Sequence, residues 1–537
     1  MRIPTRSTLL CVAALCGAPA FAQFTMSPTS TPVGTEPDAT AVGDFDKDGD
    51  LDLAVTNDAP DRVSIFFNNG NGTFGLPVHV LVGAGSGPHT PIAADLDGDG
   101  DIDIAVSLQN SNAVRLILNN AGTFVAGPSF TVGADPRDLE VADLDNDFDN
   151  DLVASNRTAG SVTVLRNMGA LAFSAVTYPV GIDPREIALG DVTGDGLGDI
   201  AVAVHDSEAV VVLRNTGSAA FTNFATLPTS PRKPSGVAMG RLDANATLDI
   251  AAAASNNGIE FAVVFLNSGG GAFGPQAPFV SGGQDANSIV AADLDLDGDL
   301  DLALANQGSS DVSMLPNSGA GAFGAFQLVS VKGSPGQVVA ADLDGNGAPD
   351  LVTTNSVGGT FTVLMNRAAG ASSMYSMCSP GMNGVNGCPC ANPSFGMGRG
   401  CENSAGTGGA RLAATGTPSL AADTLQFLAN GERATALSVV LQGTTAIPSG
   451  VVYGQGRRCI GGNLDRLYTK TAAGGAIAAP SPGDPSVSAR SAALGSPIVA
   501  GQNRFYLVFY RDPFVLGGCP LASGFNATQG GRVTWTP

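Results

Sequence analysis

Aspartate recurs at every second position in a series of short stretches, and this spacing is the first chemical signal in the chain. The first stretch reads Asp44-Phe-Asp46-Lys-Asp48-Gly49-Asp50-Leu-Asp52. The second holds Asp95, Asp97, Asp99, Asp101 and Asp103, and the sixth Asp293, Asp295, Asp297, Asp299 and Asp301. A hard cation such as Ca2+ takes about six to eight oxygens in a flexible shell. Carboxylates at loop positions 1, 3 and 5 converge when glycine at position 6 permits a sharp turn; position 7 offers its backbone carbonyl and position 9 a last carboxylate. Without a cation, each pair of carboxylates a few ångströms apart repels by about 1 kcal/mol in water, and by more in a half-buried turn. Turn propensity accounts for one or two acids per loop, not for four at alternate positions. The loops are therefore read as Ca2+ sites.

The remaining loops depart from this pattern by degrees. Loop 3 keeps Asp143, Asp145, Asp147, Asp149 and Asp151 but places Phe148 where glycine is expected, which predicts a strained turn. Loop 4 offers Asp191, Thr193, Asp195, the carbonyl of Leu197, and Asp199; loop 7 offers Asp342, Asp344, Asn346, the carbonyl of Ala348, and Asp350. Loop 5 opens with Arg241 and has Ala246 at the glycine position. It is expected to bind no ion, with the Arg241 guanidinium neutralising Asp243 and Asp249. About five or six ions are expected in all, held more weakly by loops 3, 4 and 7.

These loops need elements to hold them, and the elements repeat. A phenylalanine recurs at 24, 74, 124, 173, 221, 273 and 323, and each is followed by an Asp-rich loop. Each loop leads into an apolar run such as Leu53-Ala54-Val55. A second run follows, such as Val63-Ser64-Ile65-Phe66, and ends in an Asn-containing turn. Four short strands per unit is the pattern of a propeller blade, and seven units make seven blades. The first unit begins with an orphan strand (24–33), and the last stops after its third strand, Phe361–Met365. The orphan is expected to fill the last blade, closing the ring and hiding two sheet edges.

The loops at 44–52 and 95–103, with the pairs Phe74-Gly75, Phe273-Gly274 and Phe323-Gly324, resemble FG-GAP repeats, as in integrin α-chain propellers, and the bacterial VCBS repeats. The resemblance spans about residues 24–366. It implies that the loops join the first and second strands of each blade on one face of the disc, as structural cation sites. It also implies that ligands meet the opposite face.

The bulk numbers agree with an exported globular protein. The chain of 537 residues is 44% hydrophobic and 14% charged, too apolar for disorder and long enough for more than one core. A net charge of −22 argues against nucleic acid, which needs clustered bases. Arg2 and Arg6, the apolar run Leu9–Leu15 and Ala20-Phe21-Ala22 read as a signal peptide over 1–22, and no other segment is long and apolar enough to span a membrane. The propeller is assigned to 23–366, a linker to 367–377 and a β-rich domain to 378–537. That domain holds Cys378, Cys388, Cys390, Cys401, Cys459 and Cys519. An even count in one region of an exported chain implies disulfides; pairing is open, with Cys459–Cys519 favoured, and zinc is disfavoured because the region has no His. The fold class is thus all-β, a seven-bladed β-propeller followed by a small disulfide-containing, sandwich-like domain.

No catalytic constellation stands out. His79, His89 and His205 have no partner motif, and most carboxylates belong to the loops. On the opposite face, the blade-to-blade turns carry His89, Arg137, Arg185 and Lys233, each beside or near a proline. They form either a basic arc for an anionic ligand or bases paired with neighbouring acids. The function expected is a secreted, calcium-binding adhesion or binding module, monomeric, for a glycan or protein. The alternative is a polysaccharide lyase or hydrolase with its site on that upper face.

Overall fold

The computed structural model describes residue 24, residues 26–366 and 375–378, and most of 410–535, with breaks at 416–417, 421–422, 433, 454–455, 482, 501, 512–524 and 529. Residues 1–22, expected to be a signal peptide, lie outside these residues. So do Cys388, Cys390, Cys401 and Cys519, as well as the side chains of Cys378 and Cys459.

Residues 26–366 form seven four-stranded antiparallel sheets. Blade 1 comprises Thr35–Gly43, Asp52–Ala59, Arg62–Phe66 and Val78–Leu81. The first strands of blades 2 to 7 are Pro88–Ala94, Pro136–Ala142, Pro184–Gly190, Lys233–Gly240, Ala286–Ala292 and Pro335–Ala341. Each packs on the next, and that of blade 7 packs back on that of blade 1, so the ring is closed.

The predicted joint is present. Met26–Pro32 lies antiparallel to Thr360–Asn366, with Met26 opposite Asn366 and Pro32 opposite Thr360. Ser30 Oγ and Thr362 Oγ1, 2.8 Å apart, share a hydrogen bond across it. A strand from the chain's start thus completes a blade from the ring's end. Unfolding at either end of the ring must then break the last sheet.

Strand composition follows position in the blade. Second strands such as Asp103–Leu108 and Asp199–Val204 are buried along their whole length, because a blade covers each of their faces. Fourth strands such as Phe173–Pro179 lie on the rim and are mostly exposed. Cores form between blades: Ala54, Val63 and Ile65 of blade 1 pack with Ile104, Val106 and Ile117 of blade 2. Each large aliphatic so buried contributes about 1.5–3 kcal/mol. Phe361 of blade 7 meets Phe66 and Phe74 of blade 1 edge-on, at 5.1 and 5.2 Å between centroids.

Beyond the ring, Tyr375–Cys378, Gly530–Thr534, Asn503–Arg511, Leu437–Gly443 and Asp465–Thr471 form one sheet, with Phe525–Ala527 paired to it. Arg411–Thr415, Gln426–Asn430 and Ile477–Ala479 form a second. The two share a core that includes Leu412, Phe427, Val440, Tyr506 and Trp535, and Trp535 Nε1 donates to Tyr506 Oη at 3.2 Å. The first sheet begins at Tyr375, so Tyr375–Met377, assigned to the linker from sequence, are a strand. One helix, Val487–Ala493, capped by Ser486, had no counterpart in the expected pattern.

Candidate functional site

All seven Asp-rich stretches join the first and second strands of their blades, and so lie together on one face of the ring. In loop 1 the turn is nested. Asp48 N–H donates to Asp46 Oδ1 (3.2 Å), Gly49 N–H to Asp44 Oδ2 (3.2 Å) and Asp50 N–H to Asp48 Oδ1 (2.8 Å). Gly49 takes φ +97°, which a side chain resists. Loop 2 repeats the scheme with Asp99, Gly100 and Asp101 as donors. These bonds aim the carboxylates of positions 1, 3 and 5 at a common point. Ligand atoms of Asp44, Asp46 and Asp48 lie within 4.8 Å of one another, and so do those of Asp95, Asp97 and Asp99, of Asp143, Asp145 and Asp151, and of Asp293, Asp295 and Asp297.

The donor set fits a metal ion. The inner oxygens Oδ1 of Asp44 and Asp342 are buried and accept no hydrogen bond, a state that normally carries a free-energy penalty. Burial first, and then the neighbouring carboxylates, push Asp44 and Asp342 up to about 7 and Asp52, Asp301 and Asp350 up to about 8. A divalent ion at the common point would supply the missing partner and hold the carboxylates ionised.

The imperfect loops are compensated in distinct ways. Phe148 in loop 3 adopts φ +74° and is 91% exposed, so the turn forms against the preference of an L side chain. In the same loop the Arg166 guanidinium pairs with Asp145, and in loop 4 Arg214 pairs with Asp195 at 2.9 Å. Both arginines stand immediately before the asparagine that ends a third strand, a signal visible in the sequence. In loop 5, Asp249 accepts from the backbone N–H groups of Leu242, Asp243 and Asn267. Neutral groups close that turn: Asn245 Nδ2 donates to the Asn267 carbonyl at 3.0 Å and Thr247 Oγ1 to the same carbonyl at 2.5 Å. Loop 7 shares the device, with Asn346 Nδ2 on the Asn366 carbonyl at 3.0 Å.

The position-9 aspartate has a second duty in every blade. Asp52, Asp103, Asp151, Asp199, Asp249, Asp301 and Asp350 each accept through Oδ2 from the second residue of their own loop. Through Oδ1 each accepts from the backbone N–H of an asparagine: Asn68, Asn119, Asn167, Asn215, Asn267, Asn317 or Asn366. The amide of that asparagine then donates to the loop of the preceding blade, as Asn119 does to the Phe45 carbonyl at 2.8 Å and Asn68 to that of Leu343 at 2.7 Å. The loop face is thereby laced blade to blade around the whole ring.

At the opposite end, the first strands bulge as they enter the ring. The residues there are Asp38, His89, Arg137, Arg185, Ser235, Asn287 and Gly336. Their backbone is fixed by the blade before: Thr56 Oγ1 donates to the His89 carbonyl at 2.5 Å and Ser155 Oγ to that of Arg185 at 2.5 Å. Arg137 Nη1 donates to His89 Nε2 at 2.7 Å, while Asp38 Oδ2 lies 3.1 Å from the same nitrogen. Burial lowers the His89 pKa, and the Asp38 carboxylate opposes that shift. Arg185 contacts Asp183 at 3.0 Å and Ser235 Oγ at 3.0 Å. Lys233 precedes its proline, whereas Arg137 and Arg185 follow theirs, and it pairs with Asp206 at 2.7 Å. The predicted basic residues are thus brought to one rim over blades 2 to 5, each with an acid beside it.

Below this rim the exposed edges of the first strands are capped by side chains from neighbouring blades. Asp138 Oδ2 accepts from Ile187 N–H at 2.7 Å, Gln337 Oε1 from Thr40 N–H at 2.9 Å, and Ser288 Oγ from Val338 N–H at 3.3 Å. Gly236 offers no side chain. Glu186 reaches past it to accept from Val237 N–H (2.9 Å), Ile289 N–H (3.3 Å) and Ser288 Oγ (2.6 Å). A Cβ on Gly236 would stand 2.6 Å from Glu186 Oε2. Burial raises the pKa of Asp138, Glu140 and Glu186 alike.

Fold and loops together define a seven-bladed propeller whose acidic clusters could hold metal ions. The FG-GAP-like repeat profile matches residues 44–106, 95–154, 143–202, 241–304 and 293–353, half of the chain between them. The chain belongs to the FG-GAP-like repeat family. Among solved structures it is similar to BBS1N, crystallised in complex with ARL6DN, at 13% identity and a TM-score of 0.47, over 65% of this chain and 98% of that one. It is also similar to the periplasmic gluconolactonase PpgL of Pseudomonas aeruginosa, at 16% identity and 0.42, over 57% and 97%. A Lactobacillus plantarum protein matches at 14% and 0.42, over 56% and 86%. No curated protein sequence matches the chain. Among the described residues, no helix is long and apolar enough to cross a membrane.

Proposed function

We propose that the protein is an exported binding module, a propeller pinned by Ca2+ on one face that presents the opposite channel mouth to a glycan or a protein. The observation that carries this reading is the rim itself. Arg137 and Arg185 are 30% and 31% exposed, held by backbone bonds from the preceding blades, and set among Asp38, Asp135 and Asp183. A ligand bearing both carboxylates and hydroxyls, such as an acidic polysaccharide, offers acceptors to the guanidiniums and hydroxyl donors to the carboxylates beside them. Export is supported by the amino-terminal charged, apolar and Ala-x-Ala pattern in the sequence, and Ca2+ by an all-oxygen donor set.

The test is a glycan array with the wild type and Arg137→Ala/Arg185→Ala. Binding by the wild type that the variant loses at unchanged calcium content supports the reading; equal binding by both overturns the site. A second reading, a polysaccharide lyase or hydrolase, draws on the channel carboxylates, of which Asp138 and Glu186 are already engaged with strand edges. No turnover on a panel of acidic polysaccharides would remove it.

A further inference from the structure

Two arginines from the C-terminal sheets reach the loop face. Arg532, in the strand Gly530–Thr534, donates to Asp50 Oδ1 of loop 1 at 2.8 Å. Arg411, at the start of Arg411–Thr415, meets Asp293 Oδ2 of loop 6 at 3.3 Å and donates to the Gly347 carbonyl of loop 7. The pairs are well shielded: 22% and 10% exposed for Arg532 and Asp50, 16% and 12% for Arg411 and Asp293. Shielded, charge-assisted contacts of this kind are stronger than exposed ion pairs. The two strands belong to sheets with a common core, so both arginines are presented by one body. Their targets lie on blades 6, 7 and 1, which flank and include the blade that closes the ring.

The atoms they contact are ones an ion does not need. Position 7 gives a cation its carbonyl, which leaves the Asp50 carboxylate spare. At position 1 the inner Oδ1 is the orphaned oxygen in loops 1 and 7, which leaves Oδ2 for a second partner. Loops 1 and 6 each carry five carboxylates, so a bound divalent ion still leaves negative charge for a guanidinium. The cation and the arginine therefore need not share an oxygen. The ion closes the turn that places Asp50 and the Gly347 carbonyl, and the arginine offsets the charge that remains.

We infer that the loop face is the docking surface of this chain's own C-terminal sheets, through Arg411 and Arg532, and that cation loading of loops 1, 6 and 7 and seating of those sheets reinforce each other. The reinforcement rests on the Ca2+ loading proposed above, whereas the docking does not. It also places those sheets on the face of the ring opposite the channel mouth.

The experiment compares full-length wild type with Arg411→Ala/Arg532→Ala by hydrogen exchange, small-angle scattering and calcium titration, in calcium and in EGTA. In calcium, the variant should have a larger radius of gyration. Exchange should be faster in loops 1, 6 and 7 but unchanged in loops 2, 3 and 4, which serve as the check that the ring stays folded. By reciprocity of linkage, the variant's loops 1 and 6 should bind calcium about fivefold or more weakly. Equal dimensions and equal exchange in the two proteins overturn the docking. Docking retained with unchanged calcium affinity, or wild-type dimensions unmoved by EGTA, overturns the linkage. A wild type that binds no calcium overturns the cation reading and leaves the docking comparison intact.

Discussion

Asn267 of blade 5 donates from its side chain to the carbonyl of Val192, 75 residues earlier in blade 4, at 2.8 Å, while its own N–H is held by Asp249 at 2.7 Å. This clasp persists in the blade whose loop has lost its first aspartate and its glycine. The Asp–Asn pair therefore joins blades without help from an ion, and in the other loops the same aspartate stands ready for both tasks. Asn267→Ala keeps the backbone bond to Asp249 but leaves the carbonyls of Val192 and Leu248 short of a donor and the Gly269 N–H short of an acceptor. It should lower unfolding free energy by about 1–3 kcal/mol, by the same amount in calcium and in EGTA, as read by denaturant titration. A loss that vanishes in EGTA would tie the clasp to cation binding instead.

Gly236→Ala places a methyl 2.6 Å from Glu186 Oε2 and 3.0 Å from Ile289 N, at the crossing where one carboxylate caps two strand edges. The carboxylate must withdraw, leaving buried N–H groups unpaired at about 1–3 kcal/mol. A thermal melt should show the drop, and a wild-type melting temperature would mean that Glu186 has another resting place.

Phe148→Gly should stabilise the protein. The residue is 91% exposed and its backbone sits at φ +74°, so little packing is lost while about 1 kcal/mol of backbone strain is relieved. Denaturation midpoints should rise; a fall would show that the phenyl ring has a contact worth more than the strain.

Loop 5 can be tested by repair. Arg241→Asp with Ala246→Gly restores positions 1 and 6 beside Asp243, Asn245 and Asp249. The doubly substituted protein should bind one more calcium than the wild type by metal analysis. An unchanged count would show that the neutral bonds of Asn245 and Thr247 keep the turn shut against an ion.

Glu140 provides a pH test. Burial, followed by the charge of Asp138, raises its pKa in the folded protein. The folded state then holds the proton more tightly than the unfolded chain, so stability falls as pH rises from the unfolded value toward the raised folded one. Glu140→Gln removes that loss. Its advantage in melting temperature over the wild type should widen by about 2 °C or more between pH 5 and pH 8.5. A constant gap would mean that the carboxyl is well solvated in the channel.

Whatever is written in local spacing could be read before the structure. Alternate aspartates with a glycine at the sixth place define a loop because the turn and its ligands are all within nine residues. The Phe phase defines seven units, and the orphan strand before Thr35 implies the closing joint, because an unpaired edge demands a partner. The tertiary structure alone decided what each unit does to its neighbours. Asn119 meets Phe45, Glu186 crosses to Ile289 and Arg532 meets Asp50 at separations of 74, 103 and 482 residues. The first recurs from blade to blade, yet the spacing within one unit does not say which atoms of the neighbouring unit it meets. Closing the ring brings them together, and it sets an acid beside each basic residue at the channel mouth, where the spacing of prolines and arginines alone had left an arc of positive charge as one of two readings.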